Sequence, residues 1–259
     1  MELTTSREFA SRLEYLPEIG STNTYLLQQA KDSVDWPDFS VVVTDNQTAG
    51  RGRMDRVWVA QPGSALAVSV LLRPVEYGIT SYGWLPLAAG LAMRNAVATL
   101  LHDAEVSLKW PNDVLVDGEK ISGILAEVIE DGSAVVIGAG LNLLQTKAEL
   151  PIPTATSLAL HGVSGFTLDD ILVRYLAAFR GIYENFNSNL GDPEASGLRL
   201  EVIEASSTIG SKVSVQLPDE SIFEGKAVGL DNQGRLLIAM ADPLEIRAVA
   251  AGDITHLRQ

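Results

Sequence analysis

The sequence predicts a mixed α/β chain over residues 1–207 and a small β-barrel over residues 208–259. Three observations predict it. Up to Ser206, segments with apolar residues at helical spacing alternate with short β-branched runs. Within that region an Asp-Gly pair between apolar alternations marks a hairpin with a two-residue turn. After Gly210 the texture changes to short strands punctuated by turns, with no helical pattern.

The elements follow in order. Ser21-Thr22-Asn23 supplies N-cap residues for a helix over Thr24–Lys31. Phe39–Thr44 is a β-branched run of the kind buried on both faces, and Leu66–Leu72 reads as a second strand. Trp84–Leu101 carries Leu, Ala and Met at helical spacing, with Pro86 in the opening turn where its missing N–H costs nothing. Glu105–Lys109 alternates like a strand. Val114–Ile121 is a hairpin turning at Asp117-Gly118, and its second arm runs on through Ile124, Leu125 and Val128. Ala134–Ala139 gives another strand. Helices return over Thr167–Asn187 and again before Ser206. The last module reads as strands at Lys212–Val215, Ile222–Leu230 and Leu236–Ile238, with a turn at Asp231–Gly234.

Composition narrows the function. Over 259 residues the formal net charge is -14, which disfavours a general nucleic-acid binder because phosphate contacts need a basic face. The chain has no Cys, removing disulfides, thiolate nucleophiles and Cys-ligated zinc together. Residues 1–16 offer no apolar core of a signal peptide, and the uncharged run Tyr77–Met93 is too short and too broken by Gly and Pro to span a bilayer. A cytoplasmic location is therefore expected, with no membrane association.

Against that acidic background Gln47–Trp58 stands out, with Arg51, Arg53 and Arg56 in six residues. Gly50 and Gly52 precede the first two arginines, so the backbone can turn sharply and its N–H groups can approach a ligand. A cationic loop leaving a strand suits a phosphate or carboxylate, and Trp58 offers a flat surface for a ring. A solvated loop with scattered arginines is the plainer reading. Lys109-Trp110-Pro111-Asn112-Asp113 ends a strand with a cation, a rigid turn and an acid, or is simply a turn over a buried Trp. Lys120, on the second arm of the hairpin, shares a face with Ser122 and Ile124 if that strand is regular, and apolar neighbours would make it seek an anion. Gly138-Ala139-Gly140-Leu141-Asn142 lacks the third glycine of a dinucleotide fingerprint; it reads as a strand packed closely against something, with an amide able to read an adenine edge. No phosphate-loop motif and no Gly-x-Ser-x-Gly elbow occurs, and the three histidines are isolated. What remains is equipment for binding a nucleotide and an acid.

Ser21-Thr22-Asn23, Gln47 with Gly50–Arg53, Lys109–Asp113, Lys120–Leu125 and Gly138–Asn142 stand in the order found in biotin–protein ligases, and the chain resembles a bacterial member of that family from about Leu16 onward. The resemblance implies a catalytic domain with a mixed sheet flanked by helices, related to class II aminoacyl-tRNA synthetases, followed by an SH3-like barrel. It also implies ATP-dependent formation of biotinyl-5′-AMP, then transfer of biotin to a lysine of a carboxylase carrier domain, with Mg²⁺ accompanying ATP. By resemblance Lys120 spans the biotin carboxylate and α-phosphate, and Arg53 and Arg56 hold phosphates. Arg51 with Gly50 and Gly52 lies around biotin; Ser21, Thr22 and Gln47 ring its ureido group, and Asn23 belongs to the biotin site. Asn142 and Trp58 correspond to the adenine site, and Lys109 and Asp113 lie near the phosphates and magnesium. Only about 20 residues precede Ser21, too few for the DNA-binding domain of members that double as repressors, so a DNA partner is not expected. A homodimer stays open. The alternatives are a lipoate–protein ligase and an idle biotin-adenylate sensor; the Lys109–Asp113 segment and the C-terminal barrel favour biotin over lipoate, and Arg53 with Lys120 favours an active enzyme.

Overall fold

A computed structural model describes residues 2–257 except 55, 75, 76, 218, 241–244 and 251. A seven-stranded sheet organises the larger part. Its strands are β1 (Arg12–Tyr15), β2 (Ser40–Thr44), β5 (Ala65–Leu72), β6 (Val106–Lys109), β7 (Asp113–Val116), β8 (Glu119–Val128) and β9 (Val135–Asn142). They lie in the order β1-β2-β5-β9-β8-β7-β6. β1 and β2 are parallel and every other pair is antiparallel, so the sheet is mixed as expected. Between β2 and β5 the chain forms a small separate hairpin, β3 (Gly50–Arg51) and β4 (Val57–Trp58).

The two faces of the sheet carry different loads. On one face α2 (Trp84–Ala98) and α3 (Leu168–Ser188) cover Val41, Val43, Leu66, Val68, Val70, Ile137 and Leu141 in the main core. On the other, α1 (Thr22–Gln29) and Trp36 cover Val42, Leu71 and Val136. The alternation along β2 and β9 is the period-2 geometry of a strand buried on both sides, which is why those runs are apolar throughout. Each fully buried Leu, Ile or Val here contributes roughly 1.5–3 kcal/mol.

Local signals act where they stand. Ser21 caps α1, its Oγ accepting from the Thr24 N–H at 3.4 Å, so the helix starts two residues earlier than its apolar pattern implies. Thr167 and Asp170 form a reciprocal capping box on α3. Asp117 and Gly118 take φ values of 49° and 80°, the paired positive angles of a two-residue hairpin turn.

α4 (Leu198–Ala205) leads into a five-stranded antiparallel sheet of β10 (Lys212–Gln216), β11 (Ile222–Leu230), β12 (Leu236–Ala239), β13 (Ile246–Val249) and β14 (Asp253–His256), ordered β13-β12-β11-β10-β14. Its Asp231–Gly234 turn docks on the larger part: the Trp84 indole donates to the Asn232 carbonyl at 2.9 Å and the Trp110 indole to the Gly234 carbonyl at 3.1 Å. Among the described residues no helix is long and apolar enough to cross a membrane.

Candidate active site

The α1 face of the sheet is incompletely covered. Beside the first turn of α1, the residues pointing outward from the central strands are small: Ala67 and Ser69 on β5, Gly138 and Gly140 on β9, Gly123 on β8. They leave a cavity of about 420 Å³, walled by the start of α1, the β3–β4 hairpin, the 109–113 turn and the edge of β14. Ser21, Thr22, Asn23, Gln47, Arg51, Gly52, Arg53, Arg56, Trp58, Lys109, Lys120 and Asn142 all line it. Residues far apart along the chain thus converge on one site.

Two of the glycines exist for close approach. A Cβ on Gly138 would stand 2.2 Å from Asn23 Oδ1, and one on Gly140 would stand 2.6 Å from the Trp58 ring. The plain reading of that segment, a strand packed tightly against something, holds, and the things packed against it are site residues. Gly50 is the exception among the expected site residues: it does not line the cavity. It is buried, and a Cβ there would meet the Trp58 carbonyl at 2.5 Å and Gln47 Nε2 at 2.8 Å, so its smallness lets the hairpin close. The segment read as a cationic loop is accordingly a short hairpin with Arg53 and Met54 in its turn region.

One half of the cavity is polar and neutral. Gln47 Oε1 accepts from the Thr22 N–H at 2.8 Å and from the Thr22 hydroxyl at 3.1 Å. Ser69 Oγ lies 2.8 Å from Thr22 Oγ1 and 2.6 Å from Asn23 Oδ1. Asn23 Nδ2 donates to Glu127 Oε2 at 2.9 Å, and the same carboxylate accepts from Arg51 Nη2 at 2.7 and 2.9 Å. Such an array suits a small uncharged group with both donors and acceptors.

The other half is cationic. Lys120 Nζ stands 2.6 Å from Asp113 Oδ1, close but too oblique for an aligned hydrogen bond, which leaves that buried oxygen without a directed donor. Arg53 Nη1 donates to Asn112 Oδ1 at 3.1 Å. Burial pushes the Arg53 guanidinium down from its ordinary pKa, with Arg56 adding to the shift and Asp113 opposing it. Lys109 is pushed down by the same cause, again opposed by Asp113 and reinforced by Lys120 and Arg56. A group of cations held together against desolvation and mutual repulsion is relieved by an incoming anion. Arg56 pairs with Asp253 of β14, so the C-terminal sheet reaches into the site.

Lys120 does not share a face with Ser122 and Ile124. A bulge in β8 shifts the pairing from Leu115↔Lys120 to Val114↔Ser122. Beyond it Gly123 and Lys120 face the cavity together, the Lys120 Cε and Nζ both 3.3 Å from where a Gly123 Cβ would sit, while the Ile124 side chain lies against α2 at Gly90. The Lys120 backbone is pinned elsewhere: its N–H donates to the Thr154 carbonyl at 2.7 Å, and its carbonyl accepts from the Thr156 N–H at 2.8 Å.

Asn142 is almost fully buried at the end of β9, its amide held between the Thr156 carbonyl at 2.9 Å and Gln145 Nε2 at 3.2 Å. One N–H and one lone pair remain for a base edge. Reading the sequence missed Glu127, Ser69 and Asp253. Glu127 sits in an alternating strand where a carboxylate reads as a solvated face, and no spacing rule points to the others.

Residues 15–142 match the model of the biotin/lipoate A/B protein ligase family, and residues 208–257 match that of the biotin protein ligase C terminal domain. The chain is 41% identical over 253 residues to a biotin--[acetyl-CoA-carboxylase] ligase of Mycobacterium tuberculosis, covering 95% of this chain and 90% of that one. It is 31% identical over 228 residues to the bifunctional ligase/repressor BirA of Escherichia coli, covering 86% of this chain and 68% of that one. The structure superposes on the biotin protein ligase from Aquifex aeolicus in complex with biotin and ATP with a TM-score of 0.76 at 28% identity, covering 96% of this chain and 100% of the other.

Proposed function

The chain belongs to the biotin/lipoate A/B protein ligase family, and on that footing we propose that it activates biotin with ATP and transfers it to a lysine of the carrier domain of a biotin-dependent carboxylase. The observation that carries this reading is the division of one cavity into a neutral hydrogen-bonding half and a cationic half that holds Lys120, Arg53, Arg56 and Lys109. Biotin's carboxylate oxygen attacks the α-phosphorus of ATP, the bond to the bridging oxygen breaks, and pyrophosphate leaves with biotinyl-5′-AMP in place. The lysine amine of the carrier then attacks the mixed-anhydride carbonyl; AMP leaves, the amine loses a proton, and an amide remains.

The first step brings two anions together, and the site supplies charge rather than a nucleophile: among the described residues no His or Cys lines the cavity. Lys120 neutralises the carboxylate and the α-phosphate where they meet; Arg53, Arg56 and Lys109 hold the triphosphate. Arg56 exchanges Asp253 for a phosphate oxygen as the nucleotide enters. Thr22, Asn23 and Gln47, with Ser21, receive the ureido ring, and Arg51 with Gly50 and Gly52 frames it. Asn142 reads adenine, with Trp58 as its flat neighbour. Asp113, which lines the cavity beside Lys120, is the carboxylate that would lie near a Mg²⁺ accompanying ATP, and that metal would offset phosphate charge.

The division into a catalytic unit of residues 1–207 and a C-terminal module of residues 208–259 is supported by the family model that begins at residue 208. The net charge of -14 supports a protein partner in place of DNA. Incubation with biotin, Mg-ATP and a purified carrier domain, followed by mass spectrometry of the carrier, tests the whole reading. One biotinyl addition on the carrier lysine is expected; an unmodified carrier with biotin, or modification by lipoate in its place, overturns it.

A further inference from the structure

We propose that Glu127 is a positioning residue for the biotin ring: it fixes the direction of a proton chain running from Asn23 to Gln47 and ties the Arg51 hairpin to the sheet. The proposal rests on the reading of Thr22, Asn23 and Gln47 as the ureido subsite. Glu127 does not line the cavity, yet among the described residues it is the one carboxylate that bonds both Asn23 and Arg51, at 2.9 and 2.7 Å.

A carboxylate only accepts hydrogen bonds, so it draws the Nδ2 end of Asn23 toward itself. Asn23 Oδ1 is thereby turned toward Ser69, whose Oγ lies 2.6 Å away. Ser69 has one proton for two oxygens in reach, and the oriented amide claims it. The Thr22 hydroxyl then donates to Gln47 Oε1 or to Ser69 and keeps its lone pairs for an incoming N–H. A cyclic urea brings two such N–H groups. The direction of every bond between Glu127 and Thr22 therefore follows from one group that cannot donate.

Glu127→Gln reverses this logic while leaving size and shape alone. With its carbonyl on Arg51, the introduced amide offers an N–H to Asn23, so Asn23 turns over and presents Nδ2 to Ser69. The Ser69 proton then moves to Thr22 and takes up a lone pair the ligand needs. A second change, Asn23→Asp, restores the direction: position 127 donates, position 23 accepts from both sides, and Ser69 again points away from Thr22. Recovery is partial, because Asn23 Nδ2 also donates to the Leu125 carbonyl at 3.3 Å and an aspartate cannot.

The test is biotin-dependent pyrophosphate exchange into ATP by the full chain, with KM measured separately for biotin and for ATP. Glu127→Gln is expected to raise the biotin KM about tenfold, the size of one lost charge-assisted hydrogen bond. The ATP KM should stay within about twofold, and Glu127→Gln/Asn23→Asp should recover at least about threefold of the loss. An unchanged biotin KM in Glu127→Gln overturns the proposal. So does a parallel rise in both KM values, or a double variant no better than the single, since a merely structural role predicts those. Absence of biotin-dependent exchange in the parent chain would instead refute the reading of the site itself.

Discussion

Gly138→Ala tests whether the small residues of β9 are demanded by the site. Gly138 is paired on both sides, with Ser69 of β5 and Leu125 of β8, so its backbone cannot yield. The new Cβ would sit 2.2 Å from Asn23 Oδ1, 2.9 Å from Cγ and 3.1 Å from Nδ2, against 3.4 Å for an ordinary contact. Asn23 must therefore retreat by about 1 Å, and it is buried at 4% exposure with bonds to Ser69 and Glu127. Overpacking of this kind costs about 1–3 kcal/mol, and each hydrogen bond spoiled adds about 1 kcal/mol. Against this, replacing a strand glycine recovers roughly 0.5–1 kcal/mol of unfolded-chain entropy. The net loss is about 2–3 kcal/mol, which for a chain of this size lowers the melting temperature by about 4–12 °C. Thermal unfolding by circular dichroism without ligand measures it, and the biotin KM should rise in the same variant. A protein that melts within about 1 °C of the parent and keeps its biotin KM would show that Asn23 is not held as described.

Gly140→Ala should behave differently, since its Cβ meets the Trp58 ring at 2.6 Å and Trp58 belongs to a two-stranded hairpin outside the main sheet, whose displacement leaves the core packing in place. Melting is expected to change little while the ATP KM rises on the order of tenfold or more, a split that steady-state exchange assays resolve. Lys120→Ala should slow adenylate formation on the order of 10²–10³-fold in a protein that still folds, as judged by single-turnover release of pyrophosphate; near-normal adenylation would remove Lys120 from its assigned place. His256, whose Nε2 lies 3.1 Å from Thr208 Oγ1, has its pKa pushed below 6.5 by burial and then by Lys109. A depressed histidine pKa resists protonation in the folded state, so stability present above pH 6.5 is lost as pH falls through the folded value. His256→Gln should flatten the drop in melting temperature between about pH 7.5 and 5.5, and an unaltered slope would count against this contribution.

Much of this protein is legible in its sequence because the relevant physics is local. The Ser21 cap, the Thr167–Asp170 capping box and the Asp117-Gly118 turn each act within a few residues, so their types announce them. β2, β5 and β9 read as strands because burial on both faces demands unbroken apolar runs. Twelve of the residues expected at the site from the resemblance line one cavity, ten of them within the five motifs and Arg56 and Trp58 just after the second.

Tertiary structure decided what depends on a partner distant in sequence. β1 buries only Leu13, and β13 only Val249, so neither carries a hydrophobic pattern; each exists because a neighbouring strand offers an open edge. The direction of Lys120 hung on a single extra residue in β8, which turns the chain over by one pleat and leaves no mark in composition. Gly50 and Gly140 look alike as letters, yet one closes a hairpin and the other makes room for a tryptophan ring. Glu127, on an alternating strand, is indistinguishable from a solvated carboxylate until Asn23 and Arg51 are folded against it. The amino-acid sequence by itself determined which groups this protein can bring to a ligand; only packing across the sheet determined which way each of them points, because that direction is set by neighbours tens of residues away.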